Sequence, residues 1–569
     1  MTRTTLIFIL LIVLFFVSTR LPLIETDIPP IDVSGYAQID EPYYATLALD
    51  KYDYGNFYFN NKGTIEPHST FLGSSFLLNA SCYLTLEIFG DNYWGLRFAS
   101  LIVGLFVLGL LLFSFKEIKD ELSLNNRKEL NWIGFLLVLL ISADFSFLFS
   151  NIVVEPTLMR LAVTLMMVSL TSHFLRRKSS FQKIFILGIL ATISWLLVYL
   201  VNIYIPVSIG IAIIVSNLSK KQPFYKNILP YCLGICAGLL LIVIVTYFLK
   251  LNLLNEIKYV YSSFGGRTSL TGGEKTVFLK SILINGINFF KANFLNYNPV
   301  LLFLFIGSTL AWITLLVKKQ IKYLPSLCLT ALIFLSVFFC ESLLINDFFT
   351  RKLLIVYPLY LLITFGAVTI FYTNTARLLS KQNWIFIIVT SGAIVLLSQY
   401  TQKWIYHCQN SASFLQTLPA YMAAFVIVLV CLFFFYFNKN FFSLITALLI
   451  MLLFNNAYYS YSFAYKRVTD NFKQSMVTIA PLIKNADLIG GWSLGFRLYN
   501  ESRPIINPYM YYNKGQEYEE QLKNAVAKTN RAFIVTYKSD SLVTNLKLSP
   551  KKVLVNDFCT DDFVLYQIK

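Results

Sequence analysis

Long apolar runs dominate this chain, and they recur at the spacing of one helical membrane crossing after another. Roughly 13 of them approach the ~20 apolar residues that a helix needs to span a bilayer. They fall at 4–22, 95–115, 132–150, 156–175, 183–201, 203–217 and 228–249, and then at 298–317, 323–344, 353–373, 384–400, 418–437 and 440–459. Around Tyr199 to Pro206 two spans meet with almost no loop. The stretch 71–89 is apolar but carries Asn79, Ser81 and Glu87, which predicts a segment lying along or dipping into the interface. After Tyr459 the pattern changes to short strand-like segments at 488–491, 531–537, 552–555 and 563–568, with a polar-faced helix predicted over 518–528. Such alternation suggests an α/β sandwich. The expected fold is therefore an all-α polytopic membrane body over 1–463, with about 13 transmembrane helices and a first outer loop at 23–94, followed by a small extracytoplasmic α/β domain over 464–569.

Composition agrees: 56% of residues are hydrophobic and only 14% are charged, which excludes a soluble globular class. Basic residues fall in the short loops that share a side with the N-terminus, among them Lys116, Arg127, Arg176, Lys178, Lys220, Lys319 and Lys381. By the positive-inside bias that side is cytoplasmic, so 23–94, 250–297, 345–352, 401–417 and the C-terminal hundred residues are expected outside. The net charge of +17 then reflects topology, and its scatter over separate loops argues against nucleic-acid binding. Met1 to Val17 has no clear small-residue cleavage site after it and reads as a retained first span of a multi-pass protein of the cytoplasmic membrane. Six cysteines lie in apolar segments, Cys408 and Cys559 form a weak candidate pair, and His68, His173 and His407 are too far apart to suggest a metal cluster.

Candidate chemistry concentrates in the first outer loop, at Asp40-Glu41-Pro42-Tyr43-Tyr44-Ala45. Pro42 suits the first turn of a helix, and either acid can cap the free amides that follow. That helix, Tyr43 to Tyr52, puts Tyr44, Leu47 and Ala48 on one face, as a segment in the headgroup layer should. The acidic pair thus reads either as a cap or as ionised carboxylates, favoured by the helix dipole, that accept a proton from a hydroxyl or amine.

Together with Arg20, Glu66-Pro67, Phe89-Gly90, Trp94-Gly95-Leu96-Arg97, Arg351-Lys352 and Tyr357-Pro358, these residues resemble a known family. It is that of the integral-membrane glycosyltransferases of the GT-C fold that use polyprenyl-phosphate sugars, with the lipid A aminoarabinose transferase and protein O-mannosyltransferase relatives nearest in pattern. The resemblance implies transfer, with inversion, of a sugar from a polyprenyl-phosphate donor to a lipid, glycan or protein acceptor on the outer face of the membrane. It assigns Asp40 as base or acceptor-orienting carboxylate with Glu41 as neighbour or alternate, and the two titrate together. A second acid is expected in the next outer loop, where Glu155 stands, with Arg160 one turn deeper as its partner or as a donor-phosphate contact. Arg351 and Lys352 match the position of the family's phosphate-binding motif, and Arg97 is a weaker candidate of the same kind. Tyr44 completes the substrate contacts.

Two departures stand out. The family's Lys-Pro-Pro run is Glu66-Pro67-His68 here, so His68, if protonated, replaces a lysine near the donor phosphate; and Tyr43 stands where a basic residue is usual. The glycine-rich loop around Gly265 and Gly272 lacks Walker spacing and reads as a flexible outer loop. No metal or cofactor is called for, since a leaving monophosphate can be held by arginine and lysine, whereas a diphosphate donor would favour a divalent ion. The competing classes are a lipid-linked-oligosaccharide flippase or transporter, which tends to carry ionisable residues at the midplane, and a surface polysaccharide polymerase or ligase.

Overall fold

The computed structural model describes residues 3–27, 41, 44–55, 75–121, 128–176, 180–198, 200–223, 225–248, 254, 325–337, 358–359, 361–366, 369, 449–450, 453, 456–457, 460, 471–489, 496–500, 503–505, 531–538, 549–554 and 562–568. Of the expected spans, 298–317, 384–400 and 418–437 lie outside these residues, as do the predicted helix 518–528 and the glycine-rich loop.

Among the described residues most helices follow the apolar runs. They are α1 (Arg3–Arg20), α2 (Thr46–Tyr54), α3 (Phe76–Phe89), α4 (Tyr93–Glu121), α5 (Lys128–Ser142), α6 (Phe145–Ile152) and α7 (Pro156–Arg176), then α8 (Phe181–Ile193), α9 (Tyr204–Ser219), α10 (Tyr225–Phe248), α11 (Pro325–Val337) and α12 (Asn471–Ile483). Among the described residues, five stretches, Thr5–Leu23, Tyr93–Glu121, Pro156–Arg176, Phe181–Val198 and Tyr225–Phe248, are long and apolar enough to cross a membrane. At 14 residues α3 reaches only about 21 Å, short of a ~30 Å hydrocarbon core.

Two expected spans are interrupted for visible reasons. The run 132–150 divides into α5 and α6 at Ala143 and Asp144, because the Asp144 carboxylate accepts the Phe147 N–H (3.2 Å) and caps a new helix. The run 183–201 widens after Ile193 into a π-helical turn, Ser194–Val198, and tightens into a 3-10 turn, Leu200–Ile203. The Ser194 carbonyl displaced from the ladder there accepts the Asn202 side-chain amide (3.2 Å).

The main core is aliphatic and aromatic. Ile12 and Phe16 of α1, Val107 and Leu111 of α4, Phe147 of α6 and Leu161 and Leu165 of α7 belong to one buried cluster that extends through α8, α9 and α11. α8 and α10 cross so closely that a Cβ on Gly188 would strike the Tyr231 carbonyl and one on Gly234 the Phe185 carbonyl. Thr192 faces Gly238 at the same crossing, the small-residue packing usual where helices cannot rely on water to drive them together. At the Glu121 end of α4, Glu117 pairs with Arg176 (3.0 Å), and Glu121 accepts the Ser326 N–H (3.0 Å), tying α4 to α7 and α11.

The C-terminal elements form a five-stranded sheet of order β2-β1-β3-β5-β4, from β1 (Asp487–Ile489), β2 (Arg503–Ile505), β3 (Ala532–Tyr537), β4 (Pro550–Leu554) and β5 (Phe563–Gln567). β1 runs parallel to β2 and β3, while β5 is antiparallel to β3 and β4. β1, β3, β4 and β5 lie on the segments marked by apolar alternation; β2 and α12 were not anticipated. α12 buries Phe472, Met476, Ile479 and Ile483, one face at helical spacing. These side chains share a single core with Phe533, Val535, Phe563 and Leu565 of the sheet, and also with Ala45 at the start of α2, Ala48 and Leu49 within it, Leu78 and Cys82 of α3, and Tyr93 and Leu96 of α4. The first loop and the C-terminal sheet are therefore packed as one unit, although more than 350 residues separate them in sequence, from Leu96 to Phe472.

Candidate functional site

The site begins with how α4 is launched. Gly90 ends α3 with φ +82°, a conformation a side chain would strain, and lets the chain reverse. The Asn92 side chain then accepts the Gly95 N–H (2.9 Å), and Thr85 of α3 donates to the Gly95 carbonyl (2.6 Å), fixing the two helices against each other. Arg97 follows one turn into α4, with its guanidinium carbon 3.8 Å from the centre of the Tyr93 ring. Its Nε lies 2.9 Å from Glu41 Oε1 and its Nη2 2.7 Å from Oε2, a forked pair with both side chains buried. Nη1 donates to the carbonyls of Ile24 (2.9 Å) and Thr26 (2.7 Å), just beyond α1. Glu41 Oε1 also accepts the Val154 N–H (3.0 Å), in the turn between α6 and α7. One ion pair thus gathers the ends of α1, α4, α6 and α7 around the first loop. Asn79 of α3 completes the anchoring by accepting the Ala48 N–H (3.1 Å) and donating to the Tyr44 carbonyl (2.9 Å).

A second set of polar contacts links this loop to the C-terminal elements. The Asp27 carboxylate, fully buried, accepts the Tyr93 hydroxyl (3.3 Å) and the backbone N–H groups of Phe472 (2.6 Å) and Lys473 (3.0 Å) at the start of α12. Arg497 reaches Asp50 and Asp53 of α2, each at 2.8 Å, and the Tyr499 hydroxyl accepts the Tyr93 N–H (3.2 Å). Burial raises the Asp50 carboxyl against the pull of Arg497. Asp91 is pushed up to about 7, first by burial and then by the neighbouring charge of Asp53.

No protein-family model matches the sequence, and no curated protein matches it. Solved structures do. The chain superposes on the crystal structure of ArnT from Cupriavidus metallidurans bound to undecaprenyl phosphate with a TM-score of 0.63, at 14% sequence identity, over 99% of this chain and 97% of that one. The same protein in the apo state gives a TM-score of 0.59. An oligosaccharyltransferase from Archaeoglobus fulgidus, in complex with Zn and sulfate, gives 0.51 at 12% identity over 93% of this chain and 68% of that one. The chain has the GT-C fold.

Within this GT-C chain the described sequence candidates fall at several places. Glu41 and Arg97 are brought together, and four guanidinium N–H groups of Arg97 go to Glu41, Ile24 and Thr26, so the protein itself engages this arginine. Glu155 adjoins Val154, is buried, and accepts the Thr157 hydroxyl (3.2 Å). Arg160, one turn into α7, donates from Nε to Asn202 Oδ1 (3.1 Å), which also accepts the Tyr204 hydroxyl (3.2 Å) beside the π-helical turn. Tyr44 is half-buried beside Asn79. Asp40, His68, Arg351 and Lys352 lie outside the described residues. Reading the sequence missed Asp27, Tyr93, Asn202 and Arg497. Asn79 had announced itself only as a polar residue in an apolar stretch.

Proposed function

We propose that this protein is an integral-membrane inverting glycosyltransferase that moves a sugar from a polyprenyl-phosphate donor to a hydroxyl or amine of a lipid, glycan or protein acceptor on the outer face of the cytoplasmic membrane. The observation that carries this reading is the forked Glu41–Arg97 pair, which fixes the backbone immediately after Asp40 where four helix ends meet in a GT-C fold. In the reaction proposed, the acceptor attacks the anomeric carbon, the bond to the phosphate oxygen breaks, and the polyprenyl phosphate leaves as an anion. Asp40 takes the acceptor proton, or orients the group that loses it. Glu41 is a positioning residue, since both of its carboxylate oxygens are already engaged by Arg97 and the Val154 N–H.

Arg351 and Lys352 hold the donor phosphate, joined by His68 when protonated. Arg160, held by Asn202, is a further cation for the donor phosphate, and Tyr44 contributes to the substrate surface. The proposal includes no metal, because a single leaving phosphate is within reach of these cations. Residues 464–569 form an α/β domain outside the membrane, and the N-terminus is cytoplasmic.

Replacing Asp40 by Asn tests the reading. Sugar transfer should be lost while the protein still reaches the membrane in normal amount. The assay is lipid and glycan profiling of a deletion strain carrying each variant: the strain lacking the protein accumulates a polyprenyl-phosphate sugar and loses a surface product, and wild-type protein reverses both. Intact transfer by the Asn variant rejects the assigned base, and a deletion strain with an unchanged donor pool rejects the transferase in favour of a transporter or a polymerase.

A further inference from the structure

The contacts at Asp27 form a continuous buried path. The N–H groups that open α12 meet the Asp27 carboxylate at 2.6 and 3.0 Å, Asp27 meets the Tyr93 hydroxyl at 3.3 Å, the Tyr93 ring lies under Arg97 at 3.8 Å, and Arg97 grips Glu41 at 2.7 Å. Asp27, Arg97 and Glu41 are each 0% exposed, Tyr93 is 1% exposed and Phe472 2%, so the path from the Phe472 N–H to Glu41 is shielded from water. Simple capping of α12 would not need the connection to Tyr93, and an apolar neighbour would serve Arg97 less well than an electron-rich ring tied down at its hydroxyl. Arg497 and Tyr499 brace the same seam at α2 and at the Tyr93 amide.

We propose that Asp27 and Tyr93 are positioning residues for the transfer reaction, passing the placement of α12 through Arg97 to Glu41, so that the C-terminal elements set the placement of Glu41. This rests on the transferase reading given above, and it makes the C-terminal segment a working part of the site.

The cleanest variant is Tyr93→Phe, which deletes one hydroxyl and keeps the ring against Arg97. Asp27→Asn retains a side chain that can cap a helix but removes the charge, and Asp27→Glu restores it. Full-length protein in nanodiscs is compared by hydrogen exchange of peptides covering 41–49 and by binding of undecaprenyl phosphate, and the same variants are profiled for surface product in the deletion strain. Expected are a several-fold faster exchange confined to 41–49, lipid binding within about twofold of wild type, and product reduced about fivefold in Tyr93→Phe and about tenfold in Asp27→Asn. Asp27→Glu should recover at least half of the product, and the double variant should lose no more than the worse single one, as for residues acting in series. Glu25→Gln, at an exposed ion pair with Lys473 in the same seam, is the control and should behave as wild type.

Unchanged exchange and product in Tyr93→Phe overturns the proposal, whether or not Asp27→Asn folds. Additive losses in the double variant, or losses matched by equal loss of lipid binding, also overturn it. Loosened exchange in a protein whose wild type transfers no sugar defeats the transferase reading while leaving the mechanical link standing.

Discussion

The helical body and the seam between the first loop and the C-terminal sheet are both buried, but they are held by different means. In the body, α1 and α10 expose Leu10, Leu14, Leu233 and Leu240 outward as freely as they bury their neighbours, and specificity comes from shape, as at the Gly188 and Gly234 crossing. In the seam, α12, the sheet and the first loop share one apolar core, Leu84, Ile88 and Val477 nonetheless being exposed, and charge fixes the alignment: Glu41 with Arg97, Asp27 with the start of α12, Arg497 with Asp50 and Asp53. Where both solvents of a helix are apolar, burial cannot choose a partner, so steric fit must. Where water lies on one side, burial brings elements together without fixing their register, and buried ion pairs fix it at the cost of desolvation.

Removing one partner of the central pair should therefore produce the largest effect. Arg97→Leu leaves Glu41 charged and buried and orphans the Ile24 and Thr26 carbonyls, so a loss of about 3–5 kcal/mol is expected, read as a lowered melting temperature and little folded protein on size-exclusion chromatography. The double change Arg97→Leu with Glu41→Leu should recover part of that loss. Recovery would sharpen the view that the pair specifies arrangement more than it adds stability.

The body should answer to volume instead. Gly234→Leu drives a side chain into the Phe185 carbonyl and should cost about 1–3 kcal/mol by the same thermal assay, whereas a polar change of small size such as Gly234→Ser should be milder. If both substitutions were harmless, shape would not be what holds α8 to α10.

Arg497→Ala tests the outer clamp. Its two carboxylate contacts are partly exposed on the aspartate side, so the expected cost is about 1–2 kcal/mol, with proteolysis in the C-terminal segment rising before the helical body is attacked.

The smallest effect concerns pH. Asp91 has a folded pKa of about 7, raised above the ordinary carboxyl value near 4, so the folded state holds a proton that the unfolded state has released. Its contribution to stability is fully present below about pH 4 and is lost as pH rises through about 7. Asp91→Asn should therefore flatten the decline in melting temperature between pH 5 and pH 8, and an unaltered slope would remove Asp91 from the account.

Much of the body could be read from the sequence because a helix of apolar residues is a local property: Tyr93–Glu121, Pro156–Arg176 and Tyr225–Phe248 lie on the runs that composition marked. The interruptions were less legible. Asp144 ends one helix and caps the next within an otherwise apolar run, and the π-helical turn at Ser194 depends on Asn202, eight residues onward, accepting Arg160 while donating to the Ser194 carbonyl. In the candidate site, Asp40-Glu41 and Arg97 stood out as residue types at telling places. Asp27 and Tyr93 did not, since an aspartate in a loop and a tyrosine at a helix start are ordinary in isolation.

What the sequence determined by itself was which segments are apolar enough to leave water and where acidic and basic residues interrupt them, because hydropathy and helix periodicity are set by near neighbours along the chain. Only the tertiary structure decided that Glu41 meets Arg97 from 56 positions away and that Asp27 meets Phe472 from 445 positions away. A charge buried from solvent takes whichever partner the packing of distant helices delivers, and that choice is a property of the assembled fold.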